Sequence, residues 1–235
     1  MLRSGELLGP GLVVLVAAVT TGCAPVRMEV PKEVGGASDE IVIADRSSMS
    51  GALANESFKM GPYQVTDVDR KWTSSSGSSF LNTSSSNTKA GYAFALKAPE
   101  GAYKGTCASI VDEKAVGMFG GTFSKQNFDV KCECAGAAQA TFEMKSDTTS
   151  QYRGKVTTRN TTFDIEGIYN DEKGSSSSTA IGYYVHGGDA VGAVEVVGKG
   201  RVWLAKTLDA GTRADVACLF AGLLLHKPPS ESMTK

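Results

Sequence analysis

The chain has 235 residues, 24 basic and 25 acidic side chains, a formal net charge of −1 and 41% hydrophobic residues. So even a balance supplies neither the basic stripe that nucleic acid requires nor an acidic tail. The length can bury a sizeable core as one domain, and 27 glycines with abundant serine and threonine favour strands and loops over a helical bundle.

The first predicted element is a disposable leader. The opening MLRSGELLGPGLVVLVAAVTTGCAP places Arg3 in a short n-region, an apolar stretch from Leu7 to Val19, and the small residues Thr20, Thr21 and Gly22 ahead of Cys23. A positive n-region, an apolar run of roughly 7–15 residues and small residues at the cut are the marks of a signal peptide. A membrane-spanning helix needs roughly 20 apolar residues. This run is shorter, is interrupted by Gly9, Pro10 and Gly11, and has no basic flank after Cys23.

The segment resembles the signal peptide of bacterial lipoproteins, with Thr20 standing where that family prefers an aliphatic residue. The resemblance covers only the first tenth of the chain. It implies cleavage of residues 1–22 and transfer of diacylglycerol to the Cys23 thiol, with further acylation by a palmitate-type chain. An ordinary secretory cut nearby is the competing reading, because small residues suit both peptidases. Two or three acyl chains anchor a protein stably where one holds it marginally. The implied location is the bacterial cell envelope, and Ala24 after the cysteine implies the outer membrane, facing the periplasm or the surface. Residues 23–40 carry Pro25, Pro31 and the Gly35–Gly36 pair. They read as the lipidated cysteine and a flexible tether, which as a coil spans about 20–25 Å.

From Ile41 onward the pattern has period two. IVIAD at 41–45 is a strand, and Phe58 to Trp72 is another that Pro62 confines to an edge or divides. The serine-rich stretch 73–89 reads as a mobile loop. GYAFALK, the APEG turn and AYKGTCAS form a hairpin. Strands are predicted at 123–134, 140–145, 152–159 and 161–169, and GSSSST at 174–179 is a second flexible loop. TAIGYYVH, AVGAVEVV and RVWLAK, joined by short glycine turns, make a three-strand meander. At Asp209 the period changes: Val216, Leu219, Phe220 and Leu223 fall at helical spacing, with Asp209 or Thr212 as cap and Pro228–Pro229 as a stop. No repeat of 20–50 residues marks a solenoid or propeller. The expected fold is α+β: an antiparallel meander, as a curved sheet or partial barrel, with one C-terminal helix packed on it. Residues 41–227 form the single domain and 228–235 a disordered tail.

Apart from Cys23 the chain holds Cys107, Cys132, Cys134 and Cys218. An even number in an exported chain suggests two disulfides. Cys132 and Cys134 share one strand face with Phe128 and Val130, and a bridge between parallel neighbours on the pleat is strained. Each therefore reaches a distant partner, Cys107 for one and Cys218 for the other, with the assignment open. A metal or redox site at the CxC is the rival, but no further ligand stands near it in sequence.

No GxSxG, H-E-x-x-H, P-loop or GxGxxG pattern is present. One SxxK, Ser86 to Lys89, lies in the serine tract, and the pairs Asp112–Glu113 and Asp171–Glu172 sit near predicted turns. His186 reads as an exposed hairpin residue, and His226 as a cation at a helix C-terminus. The meander puts Tyr184, Arg201 and Trp203 on one face. That face is either covered by another layer or is a concavity for a small apolar ligand, with Arg201 as polar anchor. The expected function is a non-enzymatic, lipid-anchored envelope protein with a binding or structural role, without cofactor or metal. Its partners are the membrane and an unknown envelope protein, and not nucleic acid. The alternative is a periplasmic carrier of a small apolar ligand.

Overall fold

Alternation of apolar and polar residues resolves into twelve antiparallel strands in a computed structural model that describes residues 26–46, 56–80, 83–118, 121–137, 139–146 and 151–226. They are β1 (Ser38–Ala44), β2 (Phe58–Met60), β3 (Tyr63–Phe80), β4 (Thr83–Ala98), β5 (Gly101–Met118), β6 (Gly121–Gly136), β7 (Gln139–Ser146), β8 (Tyr152–Thr157), β9 (Thr162–Ile168), β10 (Gly182–Gly187), β11 (Asp189–Glu195) and β12 (Arg201–Ala205). Each pairs with the next in sequence, and β12 pairs with β1, so the sheet closes into an up-and-down barrel. The expected curved sheet or partial barrel is thus corrected to full closure, which leaves the barrel wall no open edge. Pro62 sits in the tight turn that separates β2 from β3. The leader 1–22, Cys23 and the tail 228–235 lie outside the described residues.

Inward positions are apolar: Ile41 and Ile43 on β1, Tyr92, Phe94 and Leu96 on β4, Phe142 and Met144 on β7, Val202 and Leu204 on β12 are all buried. Outward positions carry charge, as in the Lys131–Glu143–Lys145 and Lys155–Asp164 ladders. A barrel that crosses lipid has the reverse pattern, an apolar band outside.

The second helix, α2 (Ala210–Leu225), lies within the barrel and not on its outside. It packs against β5, β6 and β7 on one side and β11 and β12 on the other. Every residue from Ala214 to Leu225 is buried. The reason is compositional: a helix apolar all round must be enclosed on every face, and one of diameter about 10–12 Å suits a lumen wider than that of an eight-stranded barrel. Asp209 caps its start, accepting a hydrogen bond from the Thr212 N–H at 3.0 Å.

Two further expectations are corrected. Residues 26–37 are not a free tether. They cross the outside of β10–β12, including α1 (Lys32–Ala37), and bury Met28 and Val34 completely. The serine-rich stretch 73–89 is not a loop but the outer half of the β3–β4 hairpin, paired from Ser74–Lys89 to Phe80–Thr83. Serine has little intrinsic strand preference, and pairing of β4 along the whole of β5 overrides it.

Cys107 is bonded to Cys132, its register partner across β5–β6, and Cys134 to Cys218 on α2. The second bridge joins wall to filling over a separation of 84 residues. On the chain-entropy account a loop of that length is worth about 4.5 kcal/mol. Cys218→Ser should therefore lower the unfolding free energy by about 4 kcal/mol, measured in urea without reductant. Thiol titration of this variant, denatured and unreduced, should find Cys134 free while Cys107 and Cys132 stay bonded.

Candidate functional site

The outer wall is where the sequence places a ligand. Register aligns Tyr184 with Ala193 and Ala193 with Trp203, so the predicted aromatics share one face as expected. The Arg201 guanidinium lies over the Trp203 ring, 4.9 Å from its centroid. Yet Trp203 is only 3% exposed, because Met28 and Val34 of the N-terminal strap join it, Ile181 and Ala193 in a small second core. Tyr184 stacks on His186 at 4.8 Å. The concavity read as a ligand site is filled by the chain itself.

Arg201 is not a free anchor either. Its Nη2 donates to Glu195 Oε2 at 2.8 Å and to Glu172 Oε1 at 3.2 Å. Glu195 is fully buried, accepts the Met28 N–H at 2.8 Å and pairs with Arg27 at 3.1 Å. Two guanidiniums and a backbone amide thus neutralise one buried carboxylate, and the strap is pinned where Arg27 and Met28 meet the end of β11. Burial of an unpaired carboxylate would be prohibitive, which is why the strap and Arg201 come as a set.

The lumen holds the other charged groups. Because the strands alternate, odd-numbered strands all finish at one rim, here the upper, and α2 runs from the lower rim to the upper. At the lower end Asp215 is fully buried and accepts from Arg159 Nε at 3.0 Å and Nη2 at 2.9 Å, with the Tyr103 hydroxyl 3.3 Å away. This carboxylate raises the Arg159 pKa, chiefly through those hydrogen bonds. At the upper end the last helical carbonyls are claimed by side chains of the wall. Tyr92 donates to Gly222 O at 2.6 Å, Arg46 to Leu224 O at 2.5 Å and Arg70 to Leu225 O at 3.0 Å. Glu56 pairs with Arg70 at 2.7 Å. Cations at a helix C-terminus complement its dipole.

That arrangement corrects the reading of His226 as the cation of the helix end. Arg46 and Arg70 already hold that place, and burial, then the charge of Arg70, depress the His226 pKa to about 4. The Arg46 pKa is itself lowered by burial, with Glu56 opposing and Arg70 reinforcing the effect.

The remaining candidates separate. Ser86 and Lys89 lie three apart on β4, so they stand on opposite faces and do not meet. Asp112 is mid-strand on β5 and accepts a hydrogen bond from Asn87, while Asp171 tightens a turn by accepting from the N–H groups of Lys173 and Ser175. Among the described residues no group of three or more His, Cys, Asp or Glu is arranged to hold a metal. Sequence reasoning does not single out Asp215, Arg159, Arg46, Arg70 or Glu195. Only Asp215 carries a signal, as an acid inside an otherwise apolar helical run.

One part of the sheet has no second layer among the described residues. β3, β4, β5 and β6 continue past the upper rim as a four-stranded arm. Among the described residues, β6 has no partner on its outer edge from Gly121 to Phe128, and β3 has none beyond Val65 on the side of β2. The arm's described positions are polar, with Ser74, Ser76, Ser78, Lys89, Asp112 and Lys114 exposed. Compared with known protein families, curated proteins and solved structures, the chain matches none.

Two outcomes test the plug. Arg159→Met strands the Asp215 carboxylate and should cost about 3 kcal/mol in urea unfolding, most of it restored by adding Asp215→Asn. For His226 the folded pKa lies below the unfolded value, so the unfolded state binds the proton first as pH falls. Stability contributed by the neutral ring is present above pH 6.5 and is lost on acidification towards pH 4, a drop of about 3 kcal/mol. In His226→Gln the drop between neutral pH and pH 4 should be smaller by that amount.

Proposed function

We propose that the protein is a lipid-anchored bacterial envelope protein, moored through Cys23, whose role is binding or structural and not catalytic. The observation that carries this reading is the use the chain makes of its own cavities. α2 fills the lumen, residues 26–37 cover the aromatic wall, and the four cysteines of the domain are spent in bridges. The charged clusters that chemistry would need are engaged in holding α2 and the strap. What is presented outward is a polar barrel wall and the four-stranded arm, which suits a scaffold or a binding surface.

The lipoprotein-like leader supplies the location, and Ala24 after the cysteine supports the outer membrane. A carrier of a small apolar ligand is the lesser reading, because the lumen and the Trp203 face are both occupied by side chains of the protein. Cys23→Ala should move the protein from the membrane to the soluble fraction of its host and abolish labelling by palmitate. Retention of the variant on the membrane would show that lipid is not the anchor.

A further inference from the structure

The two bridges of the barrel serve different ends. Cys134–Cys218 ties the wall to α2, whereas Cys107–Cys132 joins two strands that their own pairing already holds together. β5 and β6 stay in unbroken register from Tyr103–Gly136 to Met118–Gly121. Opening Cys107–Cys132 therefore parts the sulfurs and not the strands. What this bridge adds lies on its lumen side, where α2 rests on it.

Gly222 is the point of contact. A Cβ there would lie 3.0 Å from the Sγ of Cys107 and 3.0 Å from that of Cys132. Glycine weakens a helix interior, and here it brings the helix backbone down onto the sulfur pair. The pair is boxed in on its other sides. Tyr92, Cys107, Cys132 and Phe142 form one inward-facing row across β4 to β7, so an aromatic ring flanks each cysteine. All of them are buried. Along β5 the Phe94 ring occupies the space at Gly105, and along β6 Val130 is buried. Tyr92 closes the corner, since its hydroxyl donates to Gly222 O at 2.6 Å and lies 3.9 Å from Cys132 Sγ.

A closed bridge keeps its sulfurs about 2 Å apart, while non-bonded heavy atoms settle about 3.5–4.0 Å apart. Two thiols at Cys107 and Cys132 thus need roughly 1.5 Å more room than the bridge. The row neighbours deny it, because a close-packed interior has no slack. The remaining direction is towards Gly222, which has to withdraw.

The second bridge follows from the same contact. Cys218 stands four residues before Gly222 on the same face of α2, a rise of about 6 Å. Cys134 stands two residues beyond Cys132 on the same face of β6, about 6.7 Å along the strand. With Gly222 seated on the sulfur pair, the helix carries Cys218 to Cys134. With Gly222 held off, that alignment is lost.

We infer that Cys107–Cys132 is a redox-dependent seat for α2: its closure clears the place where Gly222 docks, and docking then delivers Cys218 to Cys134. In the closing step the Cys107 thiolate attacks a disulfide-bearing oxidant and expels one thiol, and the Cys132 thiolate displaces the other. Two thiols of the protein are oxidised, two thiols of the oxidant are formed, and the protons pass to them. The coupling is reciprocal. Once seated, α2 covers both sulfurs, leaving Cys107 2% and Cys132 3% exposed, and so shields the bridge from reductant. This coupling does not rest on lipidation at Cys23. The envelope reading enters only through the oxidising compartment that supplies the oxidant.

The test refolds the full chain, reduced and unfolded, in a glutathione buffer and traps its thiols with iodoacetamide at intervals. By peptide mass, the leading one-bridge species should hold Cys107–Cys132. A lead for Cys134–Cys218 or any other pair, or equal amounts, overturns the inference. Hydrogen exchange then reads the seat itself in Cys134→Ala/Cys218→Ala, which lacks the tie between wall and helix. Amides of 214–225 should exchange slowly with Cys107–Cys132 closed and about 10- to 100-fold faster once it is reduced. Exchange that reduction leaves unchanged overturns the inference. Adding Cys107→Ala to that variant leaves a single sulfur with room beneath Gly222, so exchange should stay slow with or without reductant. Exchange as fast as in the reduced pair also overturns it, by showing that the cross-link and not the room it clears holds the helix. The trapping experiment on the unsubstituted chain keeps the test decisive if a variant does not fold.

Discussion

Twelve strands in one closed ring enclose more space than their own inward side chains can occupy, and α2 supplies the missing atoms. Its side chains make the contacts that a solvent-filled lumen would deny to Phe94, Phe142 and Leu204. Each large apolar side chain so buried is worth about 1.5–3 kcal/mol. The helix must approach the wall closely to do this, and Gly222 shows how closely. A Cβ added there would lie 3.0 Å from the sulfurs of both Cys107 and Cys132, so the bridge occupies the space that a side chain would need. The wall is therefore shaped to one particular helix in one particular register.

Backbone polarity is handled with equal economy. An apolar helix buried end to end has orphan carbonyls at its C-terminus, and here Tyr92, Arg46 and Arg70 reach in from the wall to satisfy them. At the other end Asp215 turns inward to meet Arg159 and Tyr103. These two polar clusters set the depth of the helix along the barrel axis, which apolar contacts alone would leave loosely defined. Glu195 does the same for the strap on the outside. In each place one buried carboxylate is matched to guanidinium from a different part of the chain, so the fold is specified by long-range charge pairing laid over a generic apolar pattern.

Most of the strand pattern is legible from residue alternation. Tyr92, Phe94 and Leu96, or Val130, Cys132 and Cys134, announce a face because every second residue is apolar. The helix is legible as an element but not in its position, since local period reports which residues face a neighbour and not whether neighbours surround it. Its lack of a polar stripe is the available clue. The arm escapes such a reading because Ser74–Ser79 and Thr83–Ser86 lack apolar alternation altogether; β5 imposes the strand state on Thr83–Ser86, which in turn pair with β3. The strap escapes it because Pro31 and Gly35–Gly36 signal a coil, while only Met28 and Val34 betray attachment. For the proposed ligand site, alternation puts Trp203 and Arg201 on one face correctly, but the layer above them comes from a segment about 170 residues distant, which no local pattern reveals.

The order of segments along the chain sets a condition on biosynthesis. α2 follows every strand of the wall, so a ribosome delivers the filling only after the container has been made. Until Leu225 has emerged from the ribosome, an incomplete wall presents its greasy interior to the surrounding chaperones and proteases. A polypeptide cut short before Asp209 keeps all twelve strands yet has nothing to close around, and cellular quality control can tell it from the finished product by that surface alone.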